Sequence, residues 1–132
     1  MKRRLVALVA AGTCVIGAQA YAHHPFPASY VEDKQVTVKG ELVQLLFRDP
    51  HSFVHITVKE EDGSIVRYAV EWAGAAQLVK QAVTRETLAL GDHVVIIGNP
   101  GRNPSDRRVR MTSLRRPSDG FVWGMRPGEV VP

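Results

Sequence analysis

The chain has 132 residues, 17 Lys and Arg against 13 Asp and Glu for a net charge of +4, and 45% apolar content. That length holds one domain or at most two, and the ratio of apolar to charged residues is that of an ordinary globular protein. Collagen-like, coiled-coil, disulfide-scaffold and multi-pass membrane architectures are excluded.

Residues 1–22 read as a secretory signal peptide. Lys2, Arg3 and Arg4 form a basic start, Leu5 to Gly17 is an apolar run, and Ala20 and Ala22 place small residues where cleavage requires them. A spanning helix needs about 20 apolar residues, so no stable membrane span is expected after cleavage. The expected location is the periplasm or the exterior. The only cysteine, Cys14, lies inside this run. The mature chain therefore has no thiol and must fold on its apolar core. Without Lys2, Arg3 and Arg4, basic residues fall to 14 against 13 acidic ones, a net charge of +1. Residues 23–99 are then mildly acidic and residues 100–132 basic.

An extension over residues 23–35 precedes a strand-like segment at 36–47. Val36 and Val38 share one parity, whereas Val43, Leu45 and Phe47 take the other after Gly40. Such a switch is the signature of a β-bulge, here expected at the glycine, because one extra residue flips every later side chain. Asp49-Pro50 ends the segment. A second strand alternates Val54, Ile56 and Val58 with Phe53, His55 and Thr57, and Glu61-Asp62-Gly63-Ser64 is a hairpin turn. The third strand, residues 65–72, places Val66, Tyr68, Val70 and Trp72 on one face and Arg67, Ala69 and Glu71 on the other.

The period then changes. Ala75, Leu78, Val79 and Ala82 fall at i, i+3, i+4 and i+7, one face of a short helix. A fourth strand is expected at 93–97, a loop at 98–106, and a fifth strand at 107–114 with Val109 and Met111 inward and Arg108 and Arg110 outward. From residue 115 to 132 runs a basic tail containing Pro117, Pro127 and Pro132, in which Phe121, Val122, Trp123 and Met125 can pack back on the body. Three strands, a helix and two strands predict an all-β domain over residues 36–114, an OB-like five-stranded barrel with one short helix.

Several motifs also occur in a familiar order. His23-His24-Pro25-Phe26 leads the mature chain and Val36-Thr37-Val38-Lys39-Gly40 follows it. Asp49-Pro50-His51, Glu61-Asp62-Gly63, Glu71-Trp72, Thr84-Arg85-Glu86-Thr87-Leu88 and Leu90-Gly91-Asp92 come next. This order resembles the bacterial secreted domain-of-unknown-function 6152 family over about residues 22–114. Asp49 stands where such proteins usually carry Asn, and His24-Pro25 replaces the more usual His-Ser. The resemblance implies a secreted small β domain and carries no activity.

Candidate chemistry centres on histidine. Cleavage after Ala22 makes His23 the terminal residue, whose amino group and imidazole can chelate Cu(II) together, with His24, His51 or His55 as a third arm. Cleavage after Ala20 puts His23 third, which also suits square-planar copper. The competing explanation is two solvated histidines on a flexible terminus. On one strand His51 and His55 would lie about 13 Å apart, so they share an ion only if Pro50-His51 leaves the strand. A structural zinc site is not expected, because cysteines and paired histidine spacings are missing.

His51 is also a candidate for the barrel mouth, and His55, Glu71 and Trp72 are pocket candidates; an exposed Glu71–Arg67 pair is the competing reading. The sequence contains no nucleophile motif, so no enzyme is expected. Arg107, Arg108, Arg110, Arg115 and Arg116 form a basic surface that nucleic acid would use only alongside stacking aromatics. Tyr68 and Trp72 share the core face, and an exported protein seldom meets nucleic acid. The sequence thus predicts a binding or interaction module for a small ligand or protein, with copper binding as the alternative.

Overall fold

The computed structural model describes residues 26–124, and the segment expected to be a signal peptide, His23, His24 and Met125 lie outside them. The elements are α1 (Phe26–Ser29), β1 (Val36–Leu46), β2 (Phe53–Lys59), β3 (Ile65–Glu71), α2 (Ala75–Lys80), β4 (His93–Pro100), β5 (Arg108–Arg116) and β6 (Phe121–Trp123). β2, β1, β4 and β5 join in sequence by antiparallel pairing, with β3 outside β2 and β6 outside β5. Parallel pairing of β3 with β5, Ala69 to Arg108 and Glu71 to Arg110, closes the first five strands into an OB-type barrel.

β1 serves two neighbours because it bends. Its first half, Val36 to Glu41, pairs with β4, and its second, Glu41 to Leu46, with β2. The register shifts between Leu42 and Gln44, so the bulge lies at Val43 and not at Gly40. Val38 and Leu42 point inward before it and Phe47 after it. Gly40 answers a different demand: a Cβ there would stand 2.2 Å from the Thr57 carbonyl oxygen.

Val54, Ile56, Val70, Ile96 and Val109 form the centre of the core, each at most 1% exposed. The helix is shorter than its periodicity suggests. Leu78 is fully buried, Val79 is 55% exposed, and Ala82 has already left the helix with φ 61°. Val83 and Leu88, on the irregular segment after the helix, fill the space instead. β4 and β5 both run past their expected ends, to Pro100 and Arg116. The presumed tail then turns back as β6, where Phe121 and Trp123 pack against the core.

Residues 26–35 form a strap over the outer surface of the barrel. Tyr30 bridges to Gly101, the Val31 amide donates to the Pro100 carbonyl at 2.9 Å, and the Asn99 amide donates to the Glu32 and Lys34 carbonyls. No helix among the described residues is long and apolar enough to cross a membrane.

Candidate functional site

Odd-numbered residues of β3 face away from the core, which ought to leave Glu71 in water. The strap covers it instead, and Glu71 is only 9% exposed. The Tyr30 hydroxyl donates to Oε2 of Glu71, and Arg108 Nη2 lies 3.7 Å from the same oxygen. The other oxygen, Oε1, stands 3.5 Å from His51 Nδ1. Burial, and next the hydrogen bond to Glu71, push the Tyr30 hydroxyl far above the usual phenol range, so it remains a donor.

His51 reaches this place because it precedes β2. The Ala76 amide donates to the Asp49 carboxylate at 3.1 Å, tying the 49–51 turn to the first turn of α2. Gly74 lies so close that a Cβ would stand 2.6 Å from the Pro50 carbonyl oxygen. On the strap side, the Phe26 ring meets His51 edge-on at 5.6 Å, and the Arg110 guanidinium stacks on Phe26 at 3.7 Å from its centroid while bonding Glu32.

Between these groups opens a cleft of about 280 Å³, near the lower bound for small-molecule sites. Phe26, Trp72, Trp123 and Met111 supply apolar walls, and His51, Glu71, Gln77 and Arg110 the polar groups. The two indoles meet edge to face at 5.4 Å, and the Trp123 indole donates to Gln81. Trp72 Nε1 is buried without a hydrogen-bond partner. No hydroxyl, thiol or amine side chain is among the described lining residues. The site therefore offers a carboxylate, an imidazole, an amide and a guanidinium on aromatic walls.

The structure thus gathers His51, Glu71 and Trp72 at one end of the barrel. His55 lies elsewhere: its Nδ1 accepts from Arg67, which also donates to Gln44. Desolvation and then the Arg67 charge hold the His55 imidazole below its usual range. The exposed Glu71–Arg67 pair is consequently not formed. Tyr30, Phe26, Arg110, Gln77 and Trp123 had no individual signal for the cleft in the sequence, since four elements bring them together. The nearest clue was a pair of aromatics, Phe26 and Tyr30, in the extension before β1.

The basic surface is largely spent internally. Arg107 pairs with Glu60, Arg108 with Glu71, Arg110 with Glu32, and Arg116 with both Asp92 and Asp119. Arg115 Nε is buried without a partner. Among the described residues no group of three or more His, Cys, Asp or Glu could hold a metal ion. A wider depression of about 370 Å³ lies on the outer face of β1 and β4, with Lys39, Glu41 and His93 on its wall. Its charged residues lie at the surface, and it lacks a buried polar group like Glu71.

A family model described as a family of unknown function (DUF6152) matches residues 11–110. No curated protein matches the chain.

Proposed function

The chain belongs to the DUF6152 family, whose function is unknown, so its role must be read from its own site; we propose that it is an exported, non-catalytic binding module that takes a compact ligand in the cleft at the barrel end. The observation that carries this reading is the convergence of a buried carboxylate, an imidazole and a guanidinium on an aromatic-walled cleft. A few placed polar groups on apolar walls fix a ligand's orientation, and the rigid barrel holds them in place. Export rests on the basic start and apolar run of residues 1–22. Nucleic acid is a poor fit, because Arg107, Arg108, Arg110 and Arg116 already hold carboxylates.

The test is a titration of the ¹⁵N-labelled exported protein with a library of small aromatic and carboxylate-bearing fragments. Binding fragments are expected to shift the Ala73 and Gly74 amides and the Trp123 indole, and Arg110→Ala to weaken them. Shifts confined to other surfaces, or unchanged in Arg110→Ala, would overturn the reading.

A second reading is copper binding through His23 and His24 with His51. It is favoured by the edge-on contact of Phe26 with His51, because Phe26 follows His24 by only two residues. Mass spectrometry of the exported protein tests it directly. A start at His23 or Tyr21 with one retained copper supports it, and a start downstream of His24 ends it.

A further inference from the structure

The cleft carries one charge of each sign, and neither is fully used. Glu71 and Arg110 occupy paired positions of β3 and β5, so their side chains leave the same face of the barrel side by side. Tyr30 and Arg108 both hold Oε2 of Glu71, whereas among the described residues Oε1 has only His51 Nδ1 beside it, at 3.5 Å. An imidazole at that distance is a loose partner, and Oε1 keeps its acceptor capacity. Arg110 bonds Glu32 through Nη1 at 3.1 Å and lies over Phe26. Among the described residues its Nε and Nη2 make no hydrogen bond. Most of the donors of this guanidinium are therefore available.

Exposure grades the cleft from rim to floor. The side chains of His51 and Arg110 are 34% and 33% exposed, whereas Trp72 and Met111 are 3% and 5% exposed. The guanidinium and imidazole stand at the rim, the carboxylate below them, and apolar surface forms the floor.

We propose that the cleft selects a zwitterion, a free α-amino acid with an apolar side chain, with its ammonium on Oε1 of Glu71 and its carboxylate on Arg110. The proposal rests on the cleft-binding reading and names its ligand class. In such a molecule the nitrogen and the carboxyl carbon stand about 2.5 Å apart, from standard bond lengths and angles. Neighbouring strands lie about 4.8 Å apart, so one α-amino acid meets both groups at once. A pure cation would meet the like charge of Arg110, and a pure anion that of Oε1; a zwitterion escapes both repulsions. Both contacts are charge-assisted hydrogen bonds, the stronger kind. The side chain then covers Trp72, Trp123 and Met111, and burying that apolar surface adds affinity.

The experiment titrates the ¹⁵N-labelled exported protein with L-leucine, L-methionine and L-phenylalanine, each beside its amide, which lacks the carboxylate, and its N-acetyl form, which lacks the ammonium. At least one free amino acid is expected to shift the Ala73 and Gly74 amides and the Trp123 indole. It should bind roughly ten-fold or more tighter than either derivative, the worth of one charge-assisted hydrogen bond. Glu71→Gln should abolish the preference over the N-acetyl form alone, and Arg110→Gln the preference over the amide alone, a split that a merely structural role would not produce. An amide or N-acetyl form that binds the wild type as well as its parent overturns the zwitterion and leaves the cleft-binding reading standing. So do other fragments that shift the cleft resonances when no amino acid does. The wild-type comparison decides the matter even where a variant fails to fold. Absence of cleft shifts with every amino acid and every fragment overturns both.

Discussion

At the scale of single residues, Glu71 shows how burial is made tolerable. A carboxylate removed from water needs partners for its charge and lone pairs, and it has a phenol, a guanidinium and an imidazole around it. Removing one partner should cost more than the bond's net contribution, because the desolvated oxygen remains behind. Tyr30→Phe is therefore expected to destabilise the fold by about 1–3 kcal/mol in urea unfolding, with the midpoint lowered and the slope unchanged. A change below about 0.5 kcal/mol would show that water replaces the hydroxyl freely. The pattern around Glu71 was only partly legible in the sequence. Its parity on β3 pointed outward and Arg67 was the nearest opposite charge, but the strap that covers it comes from residues 41 positions away.

At the scale of elements, strand order and type followed from alternation, since period-2 patterning expresses a face buried locally against one core. Boundaries and bulges did not follow, because they depend on the neighbouring strand. β1 placed its bulge at Val43, just past Glu41 where pairing passes from β4 to β2, while Gly40 serves a close backbone approach. Gly98 is the counterpart on β4, at the register shift with β5, where a Cβ would stand 2.1 Å from the Arg110 carbonyl oxygen. Gly98→Ala is thus expected to destabilise by about 1–3 kcal/mol through overpacking. Because Arg110 borders the cleft, the same variant should also shift the Trp123 indole resonance. A wild-type melting temperature for Gly98→Ala would contradict this account of the strand contact. For α2, the helical period counted Val79 as core, yet the helix stops after about two turns and Val83 and Leu88 complete the packing.

At the scale of the whole molecule, long-range ties hold distant segments of the chain together. Arg116 bonds Asp92 at 2.7 Å, Asp119 at 2.8 Å and the Thr87 carbonyl, joining the segment before β4 to the β5–β6 turn. The Ala89 amide first and then Arg116 hold the Asp92 carboxyl below the usual carboxylate range, and Arg116 does the same to Asp119. A carboxylate with a depressed folded pKa stabilises at pH values above its unfolded pKa, and that contribution is lost as pH falls through the folded value. The stability profile should therefore decline gently below about pH 6.5, where His55 takes up a proton more readily unfolded than folded, and more steeply below about pH 4. Asp92→Asn is expected to flatten part of that acid limb and to cost about 1–2 kcal/mol at pH 7, since the pair is part-buried and charge-assisted. An unchanged acid limb in Asp92→Asn would place the acid sensitivity elsewhere.

The sequence by itself determined the strand–strand–strand–helix–strand–strand order, the inward faces of β2, β3 and β5 and hence the OB-type barrel. It also carried the family resemblance. Those features are local: they need only alternation, turn residues and a core to bury them. Only the tertiary structure decided that His51, Glu71 and Trp72 share one cleft while His55 does not. It alone showed that the strap covers Glu71, that the tail returns as a sixth strand, and that four of the five candidate surface arginines are held in ion pairs. The surroundings of Glu71 depend on barrel closure between β3 and β5, a parallel contact between distant segments that leaves no periodic trace in either one.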